Sequence, residues 1–269
     1  MARESPEAQG TGLHAGSLGD GIVEQEALIL RSVRYAEHDR VVTFFSAQEG
    51  LLTGFARGSA GLGNRFGASF EPLTLSHVLG RHHVEGTLFR LHKASIINAF
   101  SSLKSDLDRF YWAGFAVRVL LALLPPAHPE PSLFSLSIRY LDDLSSPECS
   151  PAGAWIRFAS RALGILGYGI HSGACSSCHQ QDRTGPIIYQ VSDGRILCPF
   201  CSQGEEKQSW VKTDAEILFL LERLGEVENQ GDGEIPGEQL GPVAGFLDQV
   251  FSCRVPGWKE ISSLPLPIR

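Results

Sequence analysis

Between residues 24 and 98, apolar and polar positions trade places in short runs. EALILRS, RVVTFFSAQ, LLTGFARG, EPLTLSHVLG and EGTLFRLHKAS are rich in leucine, aromatic and β-branched residues and are separated by turn residues. Each run has the length and composition of a strand. Gly50, between the second and third, suits a tight hairpin turn. Five strands with no long helix between most of them predict a small antiparallel barrel of the OB type. A sandwich edge or a small open sheet would use the same runs. Phe44 and Phe45 are adjacent, so they point to opposite faces and at least one belongs to a core.

After residue 99 the period lengthens. Leu103, Leu107, Phe110, Tyr111, Val117, Leu120, Leu121 and Leu124 recur at helical spacing, predicting one long helix over 102–124 ended by Pro125-Pro126. Ser132 is placed to cap a second helix running to about 144. A third, carrying AWIRFASRALGILGY, runs from about 152 to near Gly167. Thr213 and Glu216 read as a T-x-x-E capping box opening a helix through LERLGEVE. EIPGEQLGPVAGFLDQVFSC reads as a loop and a last helix. The predicted class is α+β, an N-terminal barrel followed by a helical domain with a cysteine loop inserted in it. The division runs 1–23 disordered extension, 24–98 barrel, 99–172 and 204–255 helical domain, 173–203 insertion, and 256–269 irregular tail.

The chain has 269 residues, is 43% hydrophobic and 20% charged, and so has material for a sizeable core. No apolar run approaches the ~20 residues of a membrane helix. The opening stretch lacks the apolar segment of a secretory signal, so a cytoplasmic protein is expected. Net charge is −7, which argues against coating DNA by bulk attraction. The distribution changes that picture, because 24–98 sums to +1 and 205–248 to −8. A nucleic-acid face at the basic end is compatible with this asymmetry.

Cys175-x2-Cys178-x19-Cys198-x2-Cys201 has the spacing of a four-cysteine zinc site. Each pair offers two sulfurs on one knuckle, and two knuckles close a tetrahedron around Zn²⁺. A redox pair or four unliganded core thiols are the alternatives. Between the knuckles GPIIYQVSDGRIL predicts a hairpin turning at Asp193-Gly194. With four thiolates filling the sphere no position is open for water, so the zinc is structural and His179 is a surface residue. Cys149 and Cys253 lack partner spacing and read as buried or idle thiols.

The Gly-rich stretch RGSAGLGNRFGAS misses the dinucleotide spacing and precedes a strand, so the helix N-terminus that would hold a phosphate is missing. There is no GxxxxGK[ST], G-x-S-x-G or HExxH in the chain. His77, His82, His83 and His92 form a weak cluster that fits solvent-facing strand positions. Asp106/Asp108 and Asp142/Asp143 fit helix surfaces. No catalysis is expected. Tyr35, Phe55 and other aromatics interleave with arginines over 31–90, the pairing that binds single strands by stacking beside a positive groove. For most of them core packing is the competing account.

Several segments together resemble the bacterial recombination mediator RecO family. EALILRSVRYAEHDRVVTFFSAQEGLLTGFARGS is similar to its opening barrel segment, with Glu37-x-Asp39-Arg40, Gly50 and the Ala56-Arg57-Gly58 turn in matching places. FEPLTL, LHKASIINAFSSLKSDLDRFYWA, LGILGY and DGRILCPFC resemble the barrel exit and the zinc segment, and the likeness covers roughly 24–255. The resemblance implies binding of single- and double-stranded DNA, annealing of complementary strands, and binding of the acidic tail of single-stranded DNA-binding protein. It also implies action with RecR in loading RecA, and no hydrolysis. By position it makes Arg34, Arg40, Arg57, Arg65 and Arg81 DNA-contact candidates, with Arg40 open to a structural ion pair beside Asp39. Arg109, Arg118 and Arg139 are candidate cations for the apolar, acidic tail. Only Arg65 follows the Ala56-Arg57-Gly58 turn, so comparatively weak, strongly salt-sensitive DNA binding is expected. The rival classes are a zinc-ribbon transcription or scaffold factor and a zinc-clamped, sirtuin-like enzyme.

Overall fold

A computed structural model describes residues 21–61, 64–82, 88–181, 186–203, 210–226 and 235–262. The N-terminal strands are β1 (Ile22–Tyr35), β2 (Asp39–Ser46), β3 (Gly50–Ala56), β4 (Thr74–His82) and β5 (Leu88–Asn98). They close into a barrel in the order β1-β2-β3-β5-β4, antiparallel except for the β3–β5 pair. Closure removes the exposed edges that a five-stranded open sheet would present. The first half of β1 pairs with β4 and the second with β2, so a single 14-residue strand belongs to both neighbours.

Alternation along the strands fills two cores. Phe44, Val42, Leu52, Phe89 and Leu91 point into the barrel, whereas Leu28, Leu30, Phe45, Leu51 and Leu75 join the core under the helices. Phe44 and Phe45 are both fully buried: one ring meets Phe89 edge-on at 5.8 Å, the other meets Phe134 of the helical layer at 5.6 Å. Gly50 has φ +74, and a Cβ there would lie 2.0 Å from the carbonyl oxygen of His128. Only glycine lets the β2–β3 hairpin approach the helical layer so closely.

The helices are α1 (Ser101–Ser105), α2 (Leu107–Leu123), α3 (Pro131–Ser145), α4 (Pro151–Ile165), α5 (Ala215–Gly225), α6 (Gly237–Arg254) and α7 (Trp258–Ser262). The helix expected over 102–124 is therefore two. Asp106 is extended, and its carboxylate accepts from the Asp108 and Arg109 N–H groups, an N-cap that starts α2 afresh. Ser132 does not cap α3, which opens with Pro131 at its first position. Thr213 ends a strand, and Asp214 precedes α5 without a side-chain cap bond, so the expected capping box does not form. The aromatic core of the helical layer joins Trp112, Phe115, Trp155, Phe251 and Trp258. Trp258 stacks on Phe251 at 4.8 Å, so 258–262 is a packed helix where irregular chain was expected. The extension 1–20 and the last residues 263–269 lie outside the described residues.

The cysteine insertion carries β6 (Ile187–Gln190), β7 (Ile196–Leu197) and β8 (Trp210–Thr213), in the order β7-β6-β8. Its sheet thus reaches Thr213, ten residues beyond the boundary expected at 203. Gly194 has φ +74 in the β6–β7 turn, as the Asp-Gly pair predicts. Ile187, Tyr189, Ile196 and Val211 bury into the helical core, and Tyr189 meets Phe246 edge-on at 5.5 Å. The Arg254 guanidinium lies 4.4 Å over the Tyr168 ring and donates to the Val191 carbonyl, fastening the insertion to α6. Among the described residues no helix is long and apolar enough to cross a membrane.

Candidate nucleic-acid interface and metal centre

The outward positions of the barrel strands are set by the same alternation that fills its interior. One row of paired residues runs Val33–Val41–Phe55–Arg90–Arg81 across β1, β2, β3, β5 and β4. A second runs Arg31–Thr43–Thr53–Leu88. Tyr35, 58% exposed, meets Phe55 edge-on at 5.7 Å beside the first row. Phe55 thus shares its row with Arg90 and Arg81, and Tyr35 adds an exposed ring beside it. Among OB barrels this face and the β1–β2 loop carry oligonucleotides.

The five arginines expected to touch DNA divide into two groups. Arg57, Arg65 and Arg81 are exposed. Arg34 is also exposed and donates to the Ala60 carbonyl, holding the loop after β3 over the barrel end. Arg40 is tied into the fold: its Nη1 lies 3.2 Å from both Glu71 Oε1 and Ser32 Oγ. Its partner is Glu71, not the adjacent Asp39, whose carboxylate accepts from the Gly58 N–H at 2.8 Å and shapes the turn carrying Arg57. Arg31, Arg90 and Lys93 were not singled out from sequence. Their signal was strand parity relative to Phe55, legible only with the register.

The four cysteines converge. Their sulfurs all lie within 4.8 Å of one another, and Cys178 Sγ to Cys198 Sγ is 3.8 Å. A tetrahedral Zn²⁺ with bonds of about 2.3 Å has sulfur–sulfur edges of about 3.8 Å, so the donor set fits this ion. The knuckle amides point at the sulfurs: Cys198 N–H donates to Cys175 Sγ and Cys201 N–H to Cys198 Sγ, each at 3.4 Å. Burial raises the Cys175 thiol, but hydrogen bonds from the Cys178, Cys198 and Ser177 backbone outweigh it and draw the thiol down to about 6. Backbone hydrogen bonding at Cys201 lowers Cys198 as well. Cys201 accepts a hydrogen bond from Ser177, yet its neighbouring thiols and burial push it up to about 12. Only a cation at the centre would let all four thiols ionise this close together, the role of a metal. His179, Cys149 and Cys253 are not among the donors that converge there.

Residues 21–100 match the family model described as Recombination protein O N terminal, and residues 104–260 match Recombination protein O C terminal. The chain belongs to the recombination protein O family. It is 33% identical over 223 residues to a DNA repair protein RecO from Anaeromyxobacter sp. (strain K), covering 83% of this chain and 85% of the relative. It is 30% identical over 223 residues to a protein of the same name from Geobacter sulfurreducens, covering 83% and 88%. To that from Geobacter metallireducens it is 34% identical over 238 residues, covering 84% and 96%. Family membership assigns this RecO-family chain to DNA repair and recombination.

On the helical layer of this RecO-family chain the three expected cations differ in fate. Arg109 is built into the fold, donating to the carbonyls of Leu144, Ser146, Pro147 and Cys149 and lying 3.4 Å from Asp106. A guanidinium holding one turn by four bonds has no donor left for a partner, so it leaves the candidate set. Arg118 is half-buried with its guanidinium 5.5 Å over Phe115, and Arg139 is half-buried. A different site combines apolar surface with a cation. Ala215, Glu216, Phe219, Leu220 and Arg223 of α5, with Pro236 and Gln239, line a groove of about 480 Å³, in which Glu216 stands beside the cation and Phe219 is 60% exposed.

Proposed function

We propose that the protein is a non-catalytic recombination mediator. Single- and double-stranded DNA binds the outer barrel face, promoting strand annealing. The tail of single-stranded DNA-binding protein binds the helical layer, and with RecR the protein loads RecA. The observation that carries this reading is the row joining Phe55 to Arg90 and Arg81, with Tyr35 beside it. Bases stack on the rings while the guanidiniums meet phosphates, a sequence-tolerant mode suited to any repair gap. An apolar, acidic tail tip suits the α5 groove, where Phe219 offers apolar surface and Arg223 a positive charge. The metal is a structural Zn²⁺ held by Cys175, Cys178, Cys198 and Cys201, which fixes the ribbon against α6 and performs no chemistry.

A fluorescence anisotropy titration with labelled single-stranded DNA tests the reading, repeated with the tail peptide of single-stranded DNA-binding protein. Tyr35→Ala and Phe55→Ala should each weaken strand binding about tenfold, the loss expected for one stacked base. Phe219→Ala or Arg223→Glu should weaken the peptide alone. Absence of binding to both ligands by the wild-type chain would sink the mediator reading.

A further inference from the structure

A second feature of the barrel lies beside the aromatic row. On β5, Leu91 pairs with Gly80 and Lys93 pairs with Leu79, so His92 is an extra residue, a β-bulge. A bulge re-aims side chains that strict alternation would send to opposite faces. Here His92 and Lys93 both line an outer pocket of about 480 Å³ with Leu79, Ala94, Phe66 and Arg65. Arg65 reaches it from the loop after β3, its guanidinium 4.8 Å over the Phe66 ring. Glu24 and His77 also line it, 3.6 Å apart, and Arg65 and Lys93 outnumber this one acid, so the pocket is net positive. Burial, then the fields of Arg81, Arg90 and Arg65, lower the proton affinity of His92.

We propose that this pocket holds one phosphate of single-stranded DNA, between Arg65 and Lys93, with its nucleoside lying against Leu79 and Ala94. It rests on the DNA-binding reading above and adds a discrete subsite to it. The lining supplies both kinds of group a nucleotide needs, the cations Arg65 and Lys93 and the apolar Leu79 and Ala94. Arg81 and Arg90, in the row that leads to Phe55, let a strand run from the pocket onto the aromatic face. A phosphate here opposes the arginine fields and favours protonated His92. Strand binding therefore takes up a proton, and affinity rises as pH falls below the ordinary histidine value toward the lowered one of the free protein. The other titratable and charged groups facing His92 are His77, Glu24, Arg65, Lys93, Arg81 and Arg90.

The test is binding of fluorescein-labelled oligothymidylate to the full chain across salt and pH. Arg65→Ala/Lys93→Ala should lose roughly tenfold in affinity and lower the slope of log K against log salt by about 0.7, one single-strand phosphate contact. His92→Gln should flatten the pH dependence while His77→Gln leaves most of it. The exposed substitutions should keep the wild-type melting temperature. Wild-type affinity and slope in the double variant, while Tyr35→Ala still weakens binding, would overturn the pocket and spare the broader reading. No wild-type binding would remove both. Inorganic phosphate alone should shift the His92 imidazole resonances less than the oligonucleotide does; an equal shift would overturn the nucleoside half of the proposal.

Discussion

Arg109 and Gly50 show how much one position settles. Arg109 answers four carbonyls of the turn between α3 and α4. Arg109→Ala is expected to cost about 1–3 kcal/mol by leaving those groups short of a donor. It should lower the melting temperature without changing affinity for an acidic peptide, and calorimetry beside a binding isotherm checks both. Gly50→Ala should cost at least about 3 kcal/mol, since it combines a left-handed backbone with a clash against His128. Denaturant titration reads that value directly. The cysteine spacing was legible because all four ligands announce themselves by type and distance along the chain. Arg109 was not, because an arginine tied to carbonyls reads the same in sequence as one free for phosphate; for Arg40 a structural ion pair was legible, but its partner is Glu71 and not Asp39.

At the scale of elements, strand patterning was readable and junctions were not. The five barrel strands follow from alternation, and Phe44–Phe45 correctly marks a strand buried on both sides. The break at Asp106 escaped because apolar periodicity continues across it, while the capping carboxylate is a local event. Thr213–Glu216 had the letters of a capping box, but pairing with β6 claimed Thr213 for the sheet. The pocket at His92 depends on a bulge, and a bulge is a property of two strands together. The metal ribbon yields an element-scale prediction. Its strands are short and Cys175, Leu197 and Cys198 form only a small cluster of their own, so chelation should release the knuckles first. Hydrogen exchange should quicken at Cys198 and Cys201 and stay slow in β1–β5. A Cys175→Ser chain should behave like the chelated protein, with annealing reduced but not abolished.

The whole molecule is tied together by a core that includes Leu28, Leu30, Phe45, Leu51 and Leu75 of the barrel along with the helices and β6–β8. A fragment ending at Asn98 would expose those residues. It should therefore aggregate or melt well below the full chain, as light scattering during a thermal ramp would register. Net charge is −7 although the barrel carries a positive face, so long-range repulsion works against the local attraction. Each phosphate contact on that face releases counterions, so DNA affinity should fall as salt rises, with Arg31→Ala or Arg90→Ala each lowering the slope by about 0.7. A salt-independent isotherm would contradict this.

The close approach at Gly50 has a bearing on what happens when both surfaces are occupied. The β2–β3 hairpin touches backbone at His128, and Ala127 N–H donates to the Leu51 carbonyl at 2.9 Å, so there is no linker at this joint to absorb a change in angle. A strand on the barrel and a peptide on α5 would be held at a fixed separation and heading, like two marks on one ruler. Whatever assembles on the protein inherits that spacing. Loosening the joint would then alter the geometry of the assembly while leaving each separate affinity intact.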